Sequence, residues 1–485
     1  MFYLMALLAY LYGRVNNNKS QSYICYLISL AGFVFAISSK EIAAILPVTI
    51  IMSEWLIFNQ SFKQFTRTNL SKVLLLVCVS ILVALVFLGE NPVDRILVDY
   101  IYRNFSLGER LLTELRVVVF YVSLVIFPLP SRLNLIHEFE ISQSLFQPVT
   151  TILSLMLIIS ALFFAIRMVN KNKIVTFCIF WFFLHLLIES SFIGLEIIFE
   201  HRLYLPMVGL SLLLSYVLNE VLYQNKILPR VISIVLVISL AVGTIVRNQT
   251  WASEETLWMD VASKNQSSYR AFYNLGNIKT DSGKIGEAIE YYQQALSINP
   301  AYSNAHNNLG IAFNKQGNIQ MAIFHYKIAM TLNPTDAFPN FNLAIALDSL
   351  GRKEDAIFEN KAAINKNPLY TAAYYNLANI LERSGETNEA KFYYEKTIQL
   401  EPFHARANNN LGILLAEVGE LDAAEEKFHI AIEGDPGFSG PYLNLTKLYL
   451  AQDNMQAACV ILKSNKFTEE IASELSADII TLCND

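Results

Sequence analysis

"AYSNAHNNLGIAFNKQGNIQMAIFHYKIAMTLNP", residues 301–334, holds the landmarks that decide the fold of the C-terminal half. Its closing Pro334 belongs to a row with Pro300, Pro368, Pro402 and Pro436, spaced 34 residues apart. Leu309 stands in phase with Leu275, Leu343, Leu377, Leu411 and Leu445, and Ala322 with Ala288, Ala356, Ala390, Ala424 and Ala458. Gly317 falls between them, in step with Gly283, Gly351, Gly385 and Gly419. A fixed period of this length marks one supersecondary unit copied along the chain, too small to bury its apolar face without neighbours. Two apolar stretches parted by a glycine break and closed by proline predict one helical hairpin per unit.

A 34-residue period with these features is that of the tetratricopeptide repeat. Small residues let the paired helices approach, and the stacked hairpins form a superhelix with a concave inner face. Five full repeats run from about Tyr269 to about Phe438, and a degenerate sixth follows from Ser439. "SEETLWMDVASKNQ" supplies a half repeat within a linker at 248–268. The repeats are expected over 269–465, and "FTEEIASELSADII" reads as part of a polar capping helix over 466–485.

The residue before each phase-marking Leu is always Asn: Asn274, Asn308, Asn342, Asn376, Asn410 and Asn444. A carboxamide both donates and accepts hydrogen bonds, so a row of them can hold the backbone of an extended peptide whatever its side chains. The adjacent column of Tyr273, Asn307, Phe341, Tyr375 and Asn409 adds stacking or amphipathic contact. The alternative is that Asn caps or braces neighbouring units without touching a ligand. The column resembles the asparagine ladder of the repeat domain of O-GlcNAc transferase, which holds extended polypeptide.

The N-terminal half is of another kind. Residues 1 to about 247 carry 18 Lys+Arg against 13 Asp+Glu, whereas from Trp251 onward the balance is 18 against 29. A mildly basic, apolar half precedes a soluble, acidic one, and neither has the basic face of a nucleic-acid binder. Apolar runs fall at about 1–13, 22–38, 42–58, 72–89, 117–129, 149–166, 175–190, 204–221 and 229–246. Most approach the ~20 residues that a helix needs to cross a bilayer. "VVVFYVSLVIFPL" at 117–129 is short, holds Pro128 and is the weakest crossing. The opening "MFYLMALLAYLYGR" lacks a basic n-region and a small-residue cleavage motif, and reads as a membrane segment. The cysteines Cys25, Cys78, Cys178, Cys459 and Cys483 suggest neither a disulfide framework nor a metal site. The fold class is therefore all-α: a polytopic membrane domain over 1–247, then a repeat superhelix.

Short basic loops orient the crossings. Arg14 with Lys19, Lys63 with Arg67 and Lys72, Arg167 with Lys171 and Lys173, and Lys226 with Arg230 all belong on the cytoplasmic side. Eight crossings satisfy these four clusters if 117–129 dips in and returns or lies along the interface. Residues 90–148, Ser39-Lys40-Glu41, Glu200-His201-Arg202 and everything after Arg247 then lie outside. Outer Lys40, His201 and Arg202 run against the positive-inside trend. One reading is an interfacial anchor, with Arg202 snorkelling and paired to Glu200. The other is a pocket for the phosphate of a lipid-linked substrate, formed by inward-facing cations at headgroup depth. The outer stretch "RLNLIHEFE" adds His137, Glu138 and Glu140, as acid–base or metal-binding groups or as solvated surface.

A polytopic membrane half joined to tetratricopeptide repeats is a rare arrangement. With "SSKEIAAILPVTIIMSEWL", "LGERLLTELRVVVFYVSLVIFPLPSRLNLIHEFEIS" and "FEHRLYLPMVGL", the chain resembles bacterial relatives of the transmembrane-and-tetratricopeptide O-mannosyltransferases, membrane glycosyltransferases of the GT-C class. The resemblance implies transfer of a sugar from a polyprenyl-phosphate donor to Ser or Thr of an outer-side protein presented by the repeats. It implies a bacterial inner membrane with periplasmic repeats, and leaves room for a divalent metal although no metal ligand is assigned. Lys40, Glu41, His137, Glu138, Glu200, His201, Arg202 and Tyr204 would form the donor-phosphate face. Such transfer needs a base for the hydroxyl proton and charge stabilisation at the leaving phosphate. In the family, acidic residues of the first outer loop are expected to carry catalysis. The resemblance aligns Met1 with the start of a later helix, so that loop is expected to fall outside this sequence, through a misplaced start, a fragment or a relative that has become non-catalytic. Asp94 and Asp99 do not match its motif, and the catalytic residues stay unassigned.

Three functions compete. The first is protein O-glycosyl transfer, and the second is a non-catalytic membrane-anchored repeat scaffold. The third, transfer of sugar to a polysaccharide or lipid A, leaves the repeats unexplained. The scarcity of midplane charge argues against a transporter.

Overall fold

The computed structural model describes residues 1–58, 100, 103, 105–137, 139–188, 190, 197–221 and 227–464. The regular elements among them are helical. The chain divides into two compact units, Met1–Ser268 and Tyr269–Asp485.

The first unit contains α1 (Phe2–Val15), α2 (Lys19–Ser39), α3 (Leu46–Ser53), α4 (Leu107–Ile126), α5 (Thr150–Met168), α6 (Lys173–Leu186), α7 (Tyr204–Val221), α8 (Leu228–Thr250) and α9 (Glu254–Lys264). Among the described residues four helical stretches are long and apolar enough to cross a membrane: α2, α5, α8 and Glu200–Glu220, which contains most of α7. α1, Ile42–Phe58 and α6 are apolar but shorter. These helices fall on the apolar runs expected from the sequence, and the run at 72–89 lies outside the described residues. The apolar window of α8 is nowhere buried within the chain, so its Val, Ile and Leu side chains face outward as a lipid-solvated helix requires.

The run at 117–129 is the second half of a longer helix. α4 starts ten residues earlier at a capping box: Ser106 Oγ accepts from Glu109 N–H, and the Glu109 carboxylate accepts from Ser106 N–H. It ends at Phe127, before Pro128, whose ring disfavours helical backbone in the preceding residue. Its buried stripe is Arg110, the adjacent Thr113 and Glu114, Val117, Tyr121 and Leu124, recurring once per turn. Half of that stripe is polar.

Within 248–268, α9 is tied to the first unit. Lys264 Nζ donates to the carbonyls of Pro130 and Leu133 at 2.9 and 2.8 Å. Asp260 bridges Lys264 and Arg247, each at 2.7 Å.

The second unit stacks six hairpins: α10 and α11 (Tyr269–Asp281, Ile285–Ile298), α12 and α13 (Ser303–Lys315, Ile319–Leu332), α14 and α15 (Phe338–Ser349, Lys353–Lys366), α16 and α17 (Thr371–Arg383, Thr387–Leu400), α18 and α19 (Ala405–Glu417, Leu421–Gly434), and α20 and α21 (Ser439–Ala451, Met455–Ser464). The in-phase Leu residues are at most 3% exposed and the in-phase Ala residues are fully buried. The five break glycines have φ between +73° and +87°, a left-handed conformation that closes each first helix. In the sixth unit Asp453 takes that conformation in place of glycine, at φ +57°. Helix approach depends on small residues: a Cβ on Gly310 would lie 2.5 Å from the Tyr326 ring.

Cys25 and Cys178 are free thiols, whereas Cys459 is disulfide-bonded. The tail at 466–485 lies outside the described residues, as do Asp94, Asp99, Cys78 and Cys483.

Candidate functional site: a buried polar cluster and an asparagine column

The motif at 200–202 forms a 3-10 turn whose three side chains diverge. Glu200 Oε1 accepts from Asn134 N–H at 2.6 Å and from His137 Nε2 at 3.0 Å, fixing the 134–137 loop against the turn. His201 is exposed and stacks on Phe199, with ring centroids 5.1 Å apart. Arg202 is buried, donates to the Ile197 carbonyl at 3.0 Å and lies over the Phe199 ring. Glu200 therefore pairs with His137, not with Arg202, and Arg202 does not snorkel. Snorkelling needs a water-exposed head, and this guanidinium is folded inward.

Arg202 meets residues that stand out in no sequence motif. Tyr121 of α4 donates to the Phe199 carbonyl at 3.1 Å and accepts from Phe199 N–H at 3.0 Å. Its hydroxyl also lies within electrostatic reach of the Arg202 guanidinium. Further along α4, fully buried Arg110 pairs with buried Glu114 at 3.0 Å, within electrostatic reach of Arg202. The signal lies in "ERLLTELR": Arg and Glu four apart share one helix face, here continuous with Val117 and Tyr121. Charged groups buried in an apolar unit carry a large desolvation cost, so they mark a functional or architectural site. A second buried chain runs Thr49–Tyr3–His185, with contacts of 2.7 Å and His185 Nδ1 on the Trp181 carbonyl at 2.8 Å.

The other expected residues are more dispersed. Lys40 is exposed at the C-terminal cap of α2, where Glu41 opens a 3-10 turn. Tyr204 is 78% exposed. The Glu140 carbonyl accepts from Arg116 at 2.7 Å while its carboxylate is exposed. Glu138 lies outside the described residues. Among the described residues no three His, Cys, Asp or Glu side chains converge as a metal set.

In the repeats, the amide nitrogens of all six column asparagines donate within the solenoid. Asn274 donates to the Arg270 carbonyl at 2.7 Å. Asn308 donates to Tyr273 and Asn277, and Asn410 to Asn379 and Tyr394, at 2.9–3.1 Å. Asn342 donates to Asn307 and Asn444 to Asn409, each at 2.9 Å, and Asn376 to Asn360 at 3.2 Å. Most of these bonds join one repeat to the next, so the column braces the stack. Phe341 and Tyr375 of the neighbouring column meet ring partners across the same junctions, on Tyr370 and His404 at 5.0 and 4.8 Å.

Comparison with known proteins agrees with this architecture. Tetratricopeptide-repeat family models match residues 276–317, 303–336, 371–404 and 393–426. The chain is 27% identical over 139 residues to the protein O-mannosyl-transferase Tmtc3 of Drosophila melanogaster, covering 27% of this chain and 15% of that protein. It is 34% identical over 106 residues to tmtc2 of Xenopus laevis and 27% over 113 residues to TMTC1 of Homo sapiens, covering 12% and 13% of those proteins and 21% and 22% of this chain. The similarity lies in the repeats, and the matched stretch spans about one seventh of these relatives or less. Among solved structures, MamA is 30% identical with a TM-score of 0.31, covering 33% of this chain and 95% of that one. YrrB, described as a TPR protein with an unusual peptide-binding site, is 19% identical with a TM-score of 0.32, covering 40% and 97%. The chain thus joins a membrane-associated helical unit to a tetratricopeptide-repeat scaffold for protein interaction.

Proposed function

We propose that this is a membrane protein O-glycosyltransferase-like protein, moving a sugar from a polyprenyl-phosphate donor to Ser or Thr of a polypeptide held by the repeats. The observation that carries the reading is the burial of Arg202 with Arg110, Glu114 and Tyr121 inside the apolar unit. In the reaction the acceptor oxygen bonds to the anomeric carbon, its proton passes to a base, and the bond to phosphate breaks to release polyprenyl phosphate. Arg202 would steady the charge growing on that phosphate, where low dielectric makes a fixed cation most effective. The His137–Glu200 pair lies beside the same turn and can hold or move a proton. Lys40, Glu41, His201 and Tyr204 complete the proposed donor face. The disulfide at Cys459 supports placing the repeats on the oxidising, periplasmic side of a bacterial inner membrane.

A second reading is a non-catalytic membrane-anchored scaffold, and the confinement of the similarity to the repeats favours it. The test uses the full chain in proteoliposomes with polyprenyl-phosphate mannose and a Ser/Thr-rich peptide, read by the mass of the glycopeptide. Transfer lost in Arg202→Gln, with peptide capture intact, supports the enzyme. Peptide capture without transfer in the unaltered chain sinks the enzyme reading and leaves the scaffold.

A further inference from the structure

The asparagine column is not six equivalent rungs. Asn342 Nδ2 donates to Asn307 Oδ1 at 2.9 Å, and Asn307 Nδ2 donates to Asn308 Oδ1 at 3.2 Å. Asn308 Nδ2 then donates to Asn277 Oδ1 at 2.9 Å, which also accepts the Tyr292 hydroxyl at 2.8 Å. The same relay recurs three repeats along the stack. Asn444 donates to Asn409 at 2.9 Å, Asn409 to Asn410 at 3.1 Å, Asn410 to Asn379 at 3.0 Å, and Tyr394 to Asn379 at 2.7 Å.

Donor and acceptor use separates the members. Asn308 and Asn410 each use their amide nitrogen on two partners, and each oxygen accepts from the preceding Asn. Asn342 and Asn444 stand at the heads of their relays. Each spends one N–H inward, and among the described residues nothing takes its second N–H or its oxygen; Asn274 and Asn376 share that availability but head no relay through the column, donating to the Arg270 carbonyl and to Asn360. The amides of a relay point the same way, so each polarises the next and strengthens the acceptor at its head. A carboxamide with one donor and a strengthened acceptor free matches one residue of extended backbone, which offers one C=O and one N–H.

We propose that the solenoid carries two equivalent stations for extended polypeptide, headed by Asn342 and Asn444, while Asn308 and Asn410 are internal braces that a ligand does not touch. The inference rests on the peptide-binding reading above and adds to it that the polypeptide is gripped twice, three repeats apart. A segment that reaches both stations gains by effective concentration, and one too short fills them independently. The acceptor is then a long unstructured stretch and not a compact surface loop.

The test uses the full chain in nanodiscs and a fluorescein-labelled, uncharged Ser/Thr/Ala/Val peptide of about 12 residues, with a tandem form of about 40 residues. Two short peptides per chain are expected, against one tandem peptide bound at least tenfold more tightly. Asn342→Ala and Asn444→Ala should each remove one short-peptide site and abolish the tandem's advantage, lowering the melting temperature of the repeats less than Asn308→Ala, which removes two inter-repeat bonds instead of one. A single short-peptide site, or binding indifferent to both head substitutions, overturns the two-station inference alone. Absence of peptide binding by the unaltered chain overturns the peptide-binding reading beneath it.

Discussion

The second repeat contains a pair of histidines whose geometry makes it sensitive to acid. His306 on α12 and His325 on α13 are each 8% exposed, with their Nδ1 atoms 3.0 Å apart. His306 Nε2 faces the Pro300 carbonyl at 3.0 Å and must carry the proton of that bond, so its Nδ1 accepts and His325 Nδ1 donates. A first added proton can be absorbed at the outer nitrogen of His325, but a second leaves two N–H groups opposed. Burial first, and the neighbouring His306 charge second, push His325 down to about 4, and burial lowers His306 as well. A histidine whose folded pKa is depressed gives the unfolded state the greater proton uptake below 6.5. Stability is therefore fully present above that pH and is lost progressively as pH falls towards 4. For His325 alone the loss between about pH 7 and pH 5 is about 2 kcal/mol, and His306 adds to it in the same direction. The assay is hydrogen exchange of α12 and α13 in the full chain as a function of pH, corrected for intrinsic exchange, since a two-unit protein has no single unfolding transition. Sister repeats carry Phe272 and Tyr374 where His306 stands, and Tyr291 and Tyr393 where His325 stands. The double substitution His306→Phe, His325→Tyr should therefore keep the packing and flatten the pH dependence. If the double variant loses protection on acidification as steeply as the unaltered chain, the reasoning fails.

Other consequences can be measured directly. Gly351→Val places a branched side chain at φ +73° and should cost about 1–2 kcal/mol, whereas Asp453→Gly relieves a non-glycine residue at φ +57° and should stabilise the last hairpin; exchange of α14–α15 and α20–α21 reads the opposite signs. Arg110→Ala removes a buried partner of the Glu114 carboxylate and should destabilise the membrane unit by about 3–5 kcal/mol, while Arg110→Met with Glu114→Leu should recover most of it. Equal losses in the single and double variants, by thermal melting in detergent, would contradict the ion-pair argument. Peptide mapping without reductant should recover Cys459 in a cross-linked peptide and Cys25 and Cys178 as alkylated thiols.

The legible and illegible parts of this chain follow from how each feature is encoded. Leu309, Ala322, Gly317 and Pro334 act through local rules repeated at a fixed step, so hairpins, core positions and left-handed turns are legible in the amino-acid order alone. The apolar runs are legible because lipid tolerates little else. α4 is harder to recognise because only its second half is apolar. A helix that buries Arg110 and Glu114 on the same face as Val117 and Tyr121 looks like a loop followed by a short crossing when polarity is averaged along the sequence. The candidate site is opaque for a related reason. Glu200, His201 and Arg202 are adjacent in sequence, but a 3-10 turn advances each residue by about a third of a revolution. Their side chains therefore reach His137, solvent and the buried Ile197 carbonyl respectively. Adjacency suggests one three-residue grip, whereas the turn creates three environments. The asparagine column shows the converse. Its register is plain, but whether a given carboxamide faces a ligand or its neighbour depends on the donors and acceptors of the previous repeat. Asn277 and Asn379 supply acceptors beside Asn308 and Asn410 where other repeats place Ile311, Ile345 and Ile413. That difference makes Asn308 and Asn410 internal, whereas Asn307 and Asn409, one place before the column, receive the amides of Asn342 and Asn444 and make them heads; Asn376, with Phe341 in that place, donates to Asn360 instead.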